Sequence, residues 1–167
     1  MSTITGTSSN NRNSLLRSIA LGGIIIGLFH LIIQDGIVFS LLEKYPFIPV
    51  FQYIASGAMG KAAFAGGLTT ALLGAVLEFL MTFIIAGIFI VSAYGIPLLR
   101  RYVIVGSLLY GVGVFIVMTF IVLPLSAAPP SPLTVPQIIE TLIEHILLIG
   151  LPLGILVRRN ANANNNK

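Results

Sequence analysis

The chain has 167 residues, of which 56% are hydrophobic and only 8% charged. A soluble domain covers its surface with about 25% charged residues, so a water-soluble globule is excluded. Cysteine and tryptophan are absent, which removes disulfides, thiolate metal sites and cysteine nucleophiles and leaves any interfacial aromatic belt to Tyr and Phe. The formal net charge is +4, but the arginines sit at the ends of apolar runs rather than in one patch. That pattern reads as topological signalling, with no nucleic-acid partner.

Residues 1–14 are rich in Ser, Thr and Asn, cannot bury apolar area, and read as a disordered tail. The first apolar stretch runs from about Ile19 to Leu42 and carries His30, Gln34 and Asp35. It is too long for a secretory leader and no small-x-small cleavage site ends it, so it reads as a retained helix. Residues 52–67, QYIASGAMGKAAFAGG, repeat apolar residues every three to four positions but are short and carry Lys61. They predict an interfacial or re-entrant helix rather than a span.

The second long stretch covers residues 69–94 and contains Glu78; the third covers 102–125. A stiff, uncharged loop, SAAPPSPLTV, leads to the fourth, residues 136–157, which holds Glu140, Glu144 and His145. Pro136 suits a first helical turn, and Pro152 predicts a kink. Residues 159–167 read as a second disordered tail. A helix needs about 20 residues to cross the hydrocarbon core. The expected fold is therefore all-α: a polytopic four-transmembrane-helix bundle over residues 15–158, with a short extracytoplasmic interfacial helix.

With both termini cytoplasmic, Arg12, Arg17, Arg100, Arg101, Arg158, Arg159 and Lys167 fall inside and only Lys44 and Lys61 outside. This satisfies the positive-inside rule for a bacterial inner membrane. Gly23–x3–Gly27, Ser107–x3–Gly111 and Gly150–x3–Gly154 are spacings at which helix backbones approach closely in lipid.

The ionisable residues within the spans all fall in the outer half or near the middle. At about 1.5 Å per residue, Glu78 lies roughly 13 Å and Glu144 and His145 roughly 12–13 Å below the outer surface, with Asp35 at about 10 Å and Glu140 at about 6 Å. A charge at the bilayer centre costs about 2.5–3.5 kcal/mol or more, so these groups should turn inward into an externally open polar pocket capped by residues 52–67. Asp35, Glu78, Glu144 and His145 form the predicted polar cluster, with His30, Lys61 and Glu140 as secondary candidates. At α-helical spacing, His30 and Gln34 share a face while Asp35 turns aside, and Thr82 lies one turn beyond Glu78 as a hydrogen-bond partner. Each residue also has a structural reading: a helix-end Asp35, a Glu140 favoured by a helix N-terminus, a snorkelling Lys61, and interhelical hydrogen bonds for the deeper groups. A metal held by Glu78, Glu144 and His145, or haem between His30 and His145, would need ligand spacings that no motif here supplies, and no cofactor is predicted.

Four segments carry a resemblance: IIQDGIVF around Asp35, QYIASGAMGKAAFAGG, ALLGAVLEFLMTF with Glu78, and FIVMTFIVLPLSAAPP leading to ETLIEHILLIGLPLGILVRR. On these the chain resembles a group of small uncharacterised bacterial inner-membrane proteins and, more distantly, the YagU-like proteins linked with acid resistance. The resemblance implies four helices and an external loop, but no mechanism; Glu78 stands where histidine is expected in many relatives. The functional expectation is a non-enzymatic accessory or structural membrane protein, with the lipid bilayer as partner and other membrane subunits or self-association as further ones. The alternatives are a small proton- or cation-handling transporter or acid-stress factor, and a metal- or haem-binding redox subunit.

Overall fold

A computed structural model of the chain describes residues 5–130 and 133–165, with side chains placed from Arg12 to Ala161 apart from positions 131 and 132. The described residues form helices joined by short turns, with no strand among them. Helix α1 spans Thr5–Phe29 and continues without a break as a π-helix, His30–Leu42. Helix α2 is Phe47–Met59, followed by a 3-10 turn, Gly60–Ala65. Helix α3 is Gly67–Gly95 and the short α4 is Pro97–Arg101. Helix α5 begins as Val103–Val117, passes through π-wound Met118–Val122 and ends at Leu123–Leu125. Helix α6 starts as Val135–Glu144, passes through π-wound His145–Gly150 and finishes as Leu151–Asn165.

Four helices are long and apolar enough to cross a membrane: Arg12–Leu42, Gly67–Gly95, Val103–Leu125 and Val135–Ala161. Their outward faces carry exposed Leu, Ile and Val, such as Leu72, Val76, Leu80, Ile84 and Ile88 along α3. In water such a face would be unsupportable, whereas acyl chains solvate it.

Several boundaries differ from the sequence reading. The helix begins at Thr5 and α6 runs to Asn165, so most of each expected disordered tail is helical; residues 1–4, 166 and 167 lie outside the described residues. An anchored apolar helix supplies the costly nucleus, after which each added residue gains a hydrogen bond even where its side chain buries nothing. The interfacial segment starts at Phe47 rather than Gln52, because Pro46 is extended and ends the preceding turn. Pro152 stands beyond a π-wound turn with one residue between, as does Pro124; the wider turn absorbs the hydrogen bond that the ring removes.

The small residues act where their spacing predicts. Gly23 and Gly27 receive the rings of Phe83 and Phe79, joining α1 to α3. Gly111 lies against the His145 carbonyl, and Gly150 against the Ser107 carbonyl, joining α5 to α6. Helix α2 folds back along the start of α3, where the Phe51 carbonyl abuts Gly74 and the Gln52 amide donates to the Gly67 carbonyl at 3.0 Å. Its far end is tied to α5 by the Ala127 N–H donating to the Gly57 carbonyl at 2.9 Å. Lys44, at φ 58°, turns the chain between α1 and α2.

The bundle has two unlike ends. Arg12, Arg17, Arg100, Arg101, Arg158 and Arg159 stand at one, the basic end; every Asp and Glu of the chain, and both histidines, lie in the other half, the acid end. Between them sits an apolar plug that includes Ile26, Ile85, Phe89, Ile90, Ile149 and Leu153.

Candidate functional site

Three helices build a polar cluster at the acid end: His30, Gln34 and Asp35 from α1, Glu78 from α3, and Glu144 and His145 from α6. The winding of α1 places the first three. An α-helix advances about 100° per residue and would leave Asp35 roughly 140° from His30. The π-helix, with its i to i+5 hydrogen bonds, advances about 82° per residue, which sets Gln34 and Asp35 roughly 30° and 50° to either side of His30. Both are consequently buried, at 5% and 3% exposure. This corrects the expectation that Asp35 turns aside. The Ser40 hydroxyl donates to the Asp35 carbonyl at 2.8 Å, and the Glu43 N–H to the Val38 carbonyl at 2.9 Å, both across five residues.

His30 is the hub. Its Nδ1 lies 3.7 Å from Glu78 Oε1. Its ring meets that of His145 edge to face, with centroids 6.3 Å apart at 88°, and His145 meets Phe115 at 5.9 Å. His145 Nδ1 is 2.8 Å from the Thr141 carbonyl. A carbonyl only accepts, so Nδ1 is the donor in this contact.

The Asp35 and Glu78 carboxyls lie close enough to interact. Two carboxyls hydrogen-bond only when one of them holds a proton. The Gln34 amide stands in the same relation to Glu144, which also feels Glu140, Glu43 and Asp35. Glu43 lies just past the α1 span. Its carboxyl is held above the usual carboxylate range, first by partial desolvation and then by the charge of Glu140. A string of carboxyls therefore leads from exposed Glu43 and half-exposed Glu140, through Glu144, to the buried Asp35–Glu78 pair.

The hydrogen-bond balance singles out this cluster from the other buried polar groups at both ends, such as Gln52 and Thr70, which are bonded. Towards the basic end, the Thr82 hydroxyl lies 3.0 Å from the Gly23 carbonyl and 2.8 Å from that of Phe79, Ser107 donates to Ile104 at 2.9 Å, and Tyr110 donates to Ile85 at 2.8 Å. At the acid end, five buried side-chain atoms among the described residues have no partner: His30 Nε2, Gln34 Oε1, Asp35 Oδ2, Glu78 Oε2 and Glu144 Oε1. All five belong to this one cluster. Leaving such an atom unsatisfied costs about 1–3 kcal/mol.

The expected residues are only partly brought together. Asp35 and Glu78 meet directly. Glu144 lies on Gln34, and His145 joins through the His30 ring. Glu78, Glu144 and His145 do not converge on one point, and among the described residues no three His, Asp or Glu side chains form a group able to hold a metal. Lys61 is exposed on the 3-10 turn, and Glu140 is an outlying member. Thr82 bonds backbone carbonyls of α1 and α3 instead of Glu78. Sequence reasoning placed His30 second and passed over Gln34 as a member, although their shared face was a usable signal. No protein-family model, no curated protein and no solved structure matches this chain.

Proposed function

We propose that this protein is a small, non-enzymatic proton handler of the bacterial inner membrane. It takes up and releases protons through the carboxyl–imidazole cluster at its acid end. The observation that carries this reading is the concentration of all five orphaned buried polar atoms in that cluster. Polar groups retained only to pack helices are satisfied by their neighbours, as Thr82, Ser107 and Tyr110 are. Groups that exchange protons keep lone pairs free, and ionisable residues inside a membrane commonly mark proton relays. This favours proton handling over a purely structural accessory subunit. The lack of a converging metal-ligand group among the described residues favours protons over a bound metal cation.

The positive-inside rule puts the six arginines and both termini in the cytoplasm, so the cluster faces the extracytoplasmic side. Protons then arrive by way of Glu43 and Glu140, pass to Glu144 and settle on the Asp35–Glu78 pair beside His30. The apolar plug separates this site from the cytoplasmic face.

The test is proton uptake by the full chain in lipid nanodiscs, followed with an indicator dye between pH 4 and 9. The wild type should bind about one proton per chain more than Glu78→Gln across that range, and Glu144→Gln should slow the uptake. If Glu78→Gln folds as the wild type and binds protons as the wild type does, the proposal fails.

A further inference from the structure

We infer that the basic end holds a binding site for one anionic phospholipid, independent of the proton cluster. A groove of about 330 Å³ opens between α4, the start of α5 and the end of α6. That volume is in the range of about 300–1,000 Å³ typical of small-molecule sites. Arg100, Arg101 and Arg158 stand around it, while Ile104, Val105 and Val157 supply apolar wall. These three residues lie inside the spans; Arg100 and Arg101 stand just before the span that begins at Val103, and Arg158 in the last turn of the span that ends at Ala161. The groove thus joins a cationic rim to an apolar floor at the membrane boundary, which matches a phosphate headgroup above acyl chains.

Among the described residues nothing neutralises the rim charges. Every Asp and Glu side chain is at the opposite end, and among the described residues the sole ion-pair contact is His30 with Glu78. Arg101 is steadied rather than free, its guanidinium 5.4 Å from the centroid of the Tyr102 ring. Planar guanidiniums are well suited to phosphate oxygens, and basic pockets between membrane helices bind anionic headgroups. Arg12, Arg17 and Arg159 share this end but do not line the groove, so they provide an internal control for general surface charge. Free phosphate offers the same anion to the rim but nothing to the floor.

The experiment is native mass spectrometry of the full chain released from nanodiscs of phosphatidylcholine doped with phosphatidylglycerol. The wild type should retain one phosphatidylglycerol. Each basic residue near a surface contributes about fivefold in affinity, so Arg100→Gln, Arg101→Gln and Arg158→Gln together should weaken retention about 100-fold. Arg12→Gln with Arg17→Gln should leave it unchanged. Because loss of three arginines perturbs insertion, Val105→Trp provides a second route: it keeps every charge, fills the floor at an exposed position, and should abolish retention while the protein melts as the wild type. The inference is overturned if the triple variant retains lipid as the wild type does, if the Arg12 and Arg17 pair loses it equally, or if Val105→Trp retains it. It is also overturned if millimolar inorganic phosphate displaces the lipid as well as glycerol-headgroup lipid does, since the site would then read the phosphate alone.

Discussion

Replacing Gly111 with alanine tests whether the α5–α6 contact holds His145 in place. A methyl group at Gly111 would lie 2.6 Å from the His145 carbonyl oxygen and 3.0 Å from the Ile146 Cα. Both obstacles are backbone, so no rotamer change relieves them, and the helices must part by nearly 1 Å to restore ordinary contact. Overpacking of this kind costs about 1–3 kcal/mol. For a chain of this size that corresponds to a fall in Tm of roughly 2–12 °C. The separation also draws the His145 ring away from His30, so proton uptake should fall together with stability. Gly113, two residues on, meets nothing within 4 Å. Gly113→Ala should gain about 0.5–1 kcal/mol from helix propensity alone. The assay is thermal unfolding of both variants in one detergent, beside dye-monitored proton uptake. Equal melting of Gly111→Ala and Gly113→Ala would refute the packing argument.

Two further perturbations probe the cluster and its entrance. Ser40→Ala deletes the hydroxyl that bonds the Asp35 carbonyl at 2.8 Å; it should cost about 0.5–1.5 kcal/mol and speed amide exchange from Gln34 to Glu43, because the π-wound turn loses a support. Unchanged exchange there would mean the winding does not depend on that bond. For Glu43, the folded state holds a proton more tightly than the unfolded state, since its carboxyl is raised by desolvation and by Glu140. Between the unfolded and folded values the native chain binds more protons, so stability falls as pH rises through that window. Glu140→Gln removes one cause and should flatten this fall. Thermal melts across the carboxylate range, with and without the substitution, read the difference; a steeper fall in the variant would contradict it. The effect is small because Glu43 is exposed.

The spans were legible because lipid imposes one requirement on them all, about 20 apolar residues wound so that each backbone group bonds within its own segment. The contacts of Gly23 and Gly27 with Phe83 and Phe79, and of Gly111 and Gly150 across α5 and α6, were likewise legible from small-residue spacing. The winding of α1 was not. Hydropathy is nearly indifferent to whether residues advance by 100° or 82°, since Leu and Ile suit either turn. Yet that difference decides whether Asp35 faces acyl chains or Glu78. The hub role of His30 was hidden for the same reason: it depends on neighbours that only the wider turn brings beside it. The helical extensions at both ends escaped notice because composition reports what side chains can bury, whereas a helix already anchored extends by backbone hydrogen bonding.

The two halves of the bundle constrain how protons can be handled. A continuous file of protons would need carriers through the plug, but Ile26, Ile85, Phe89, Ile149 and Leu153 there offer none. Opening that plug between α1 and α3 would mean withdrawing the Phe79 and Phe83 rings from Gly27 and Gly23 and breaking the contact between the Thr82 hydroxyl and the Gly23 carbonyl. These contacts lie directly below the His30–Glu78 pair, so the polar cluster sits just above the level at which the two helices are locked. If the cluster binds protons, their arrival removes charge beside the lock without opening a path through it. A site reached from one side and closed on the other suits a protein that loads protons and changes helix packing in response, rather than one that conducts them. Thr82→Val separates the two modes: it releases the α1–α3 contact while leaving every titratable group in place. A conducting chain would then pass protons faster across liposomes, whereas a loading one would keep its uptake and lose about 0.6 kcal/mol of stability, up to about 1.7, the range for interhelical hydrogen bonds in membranes.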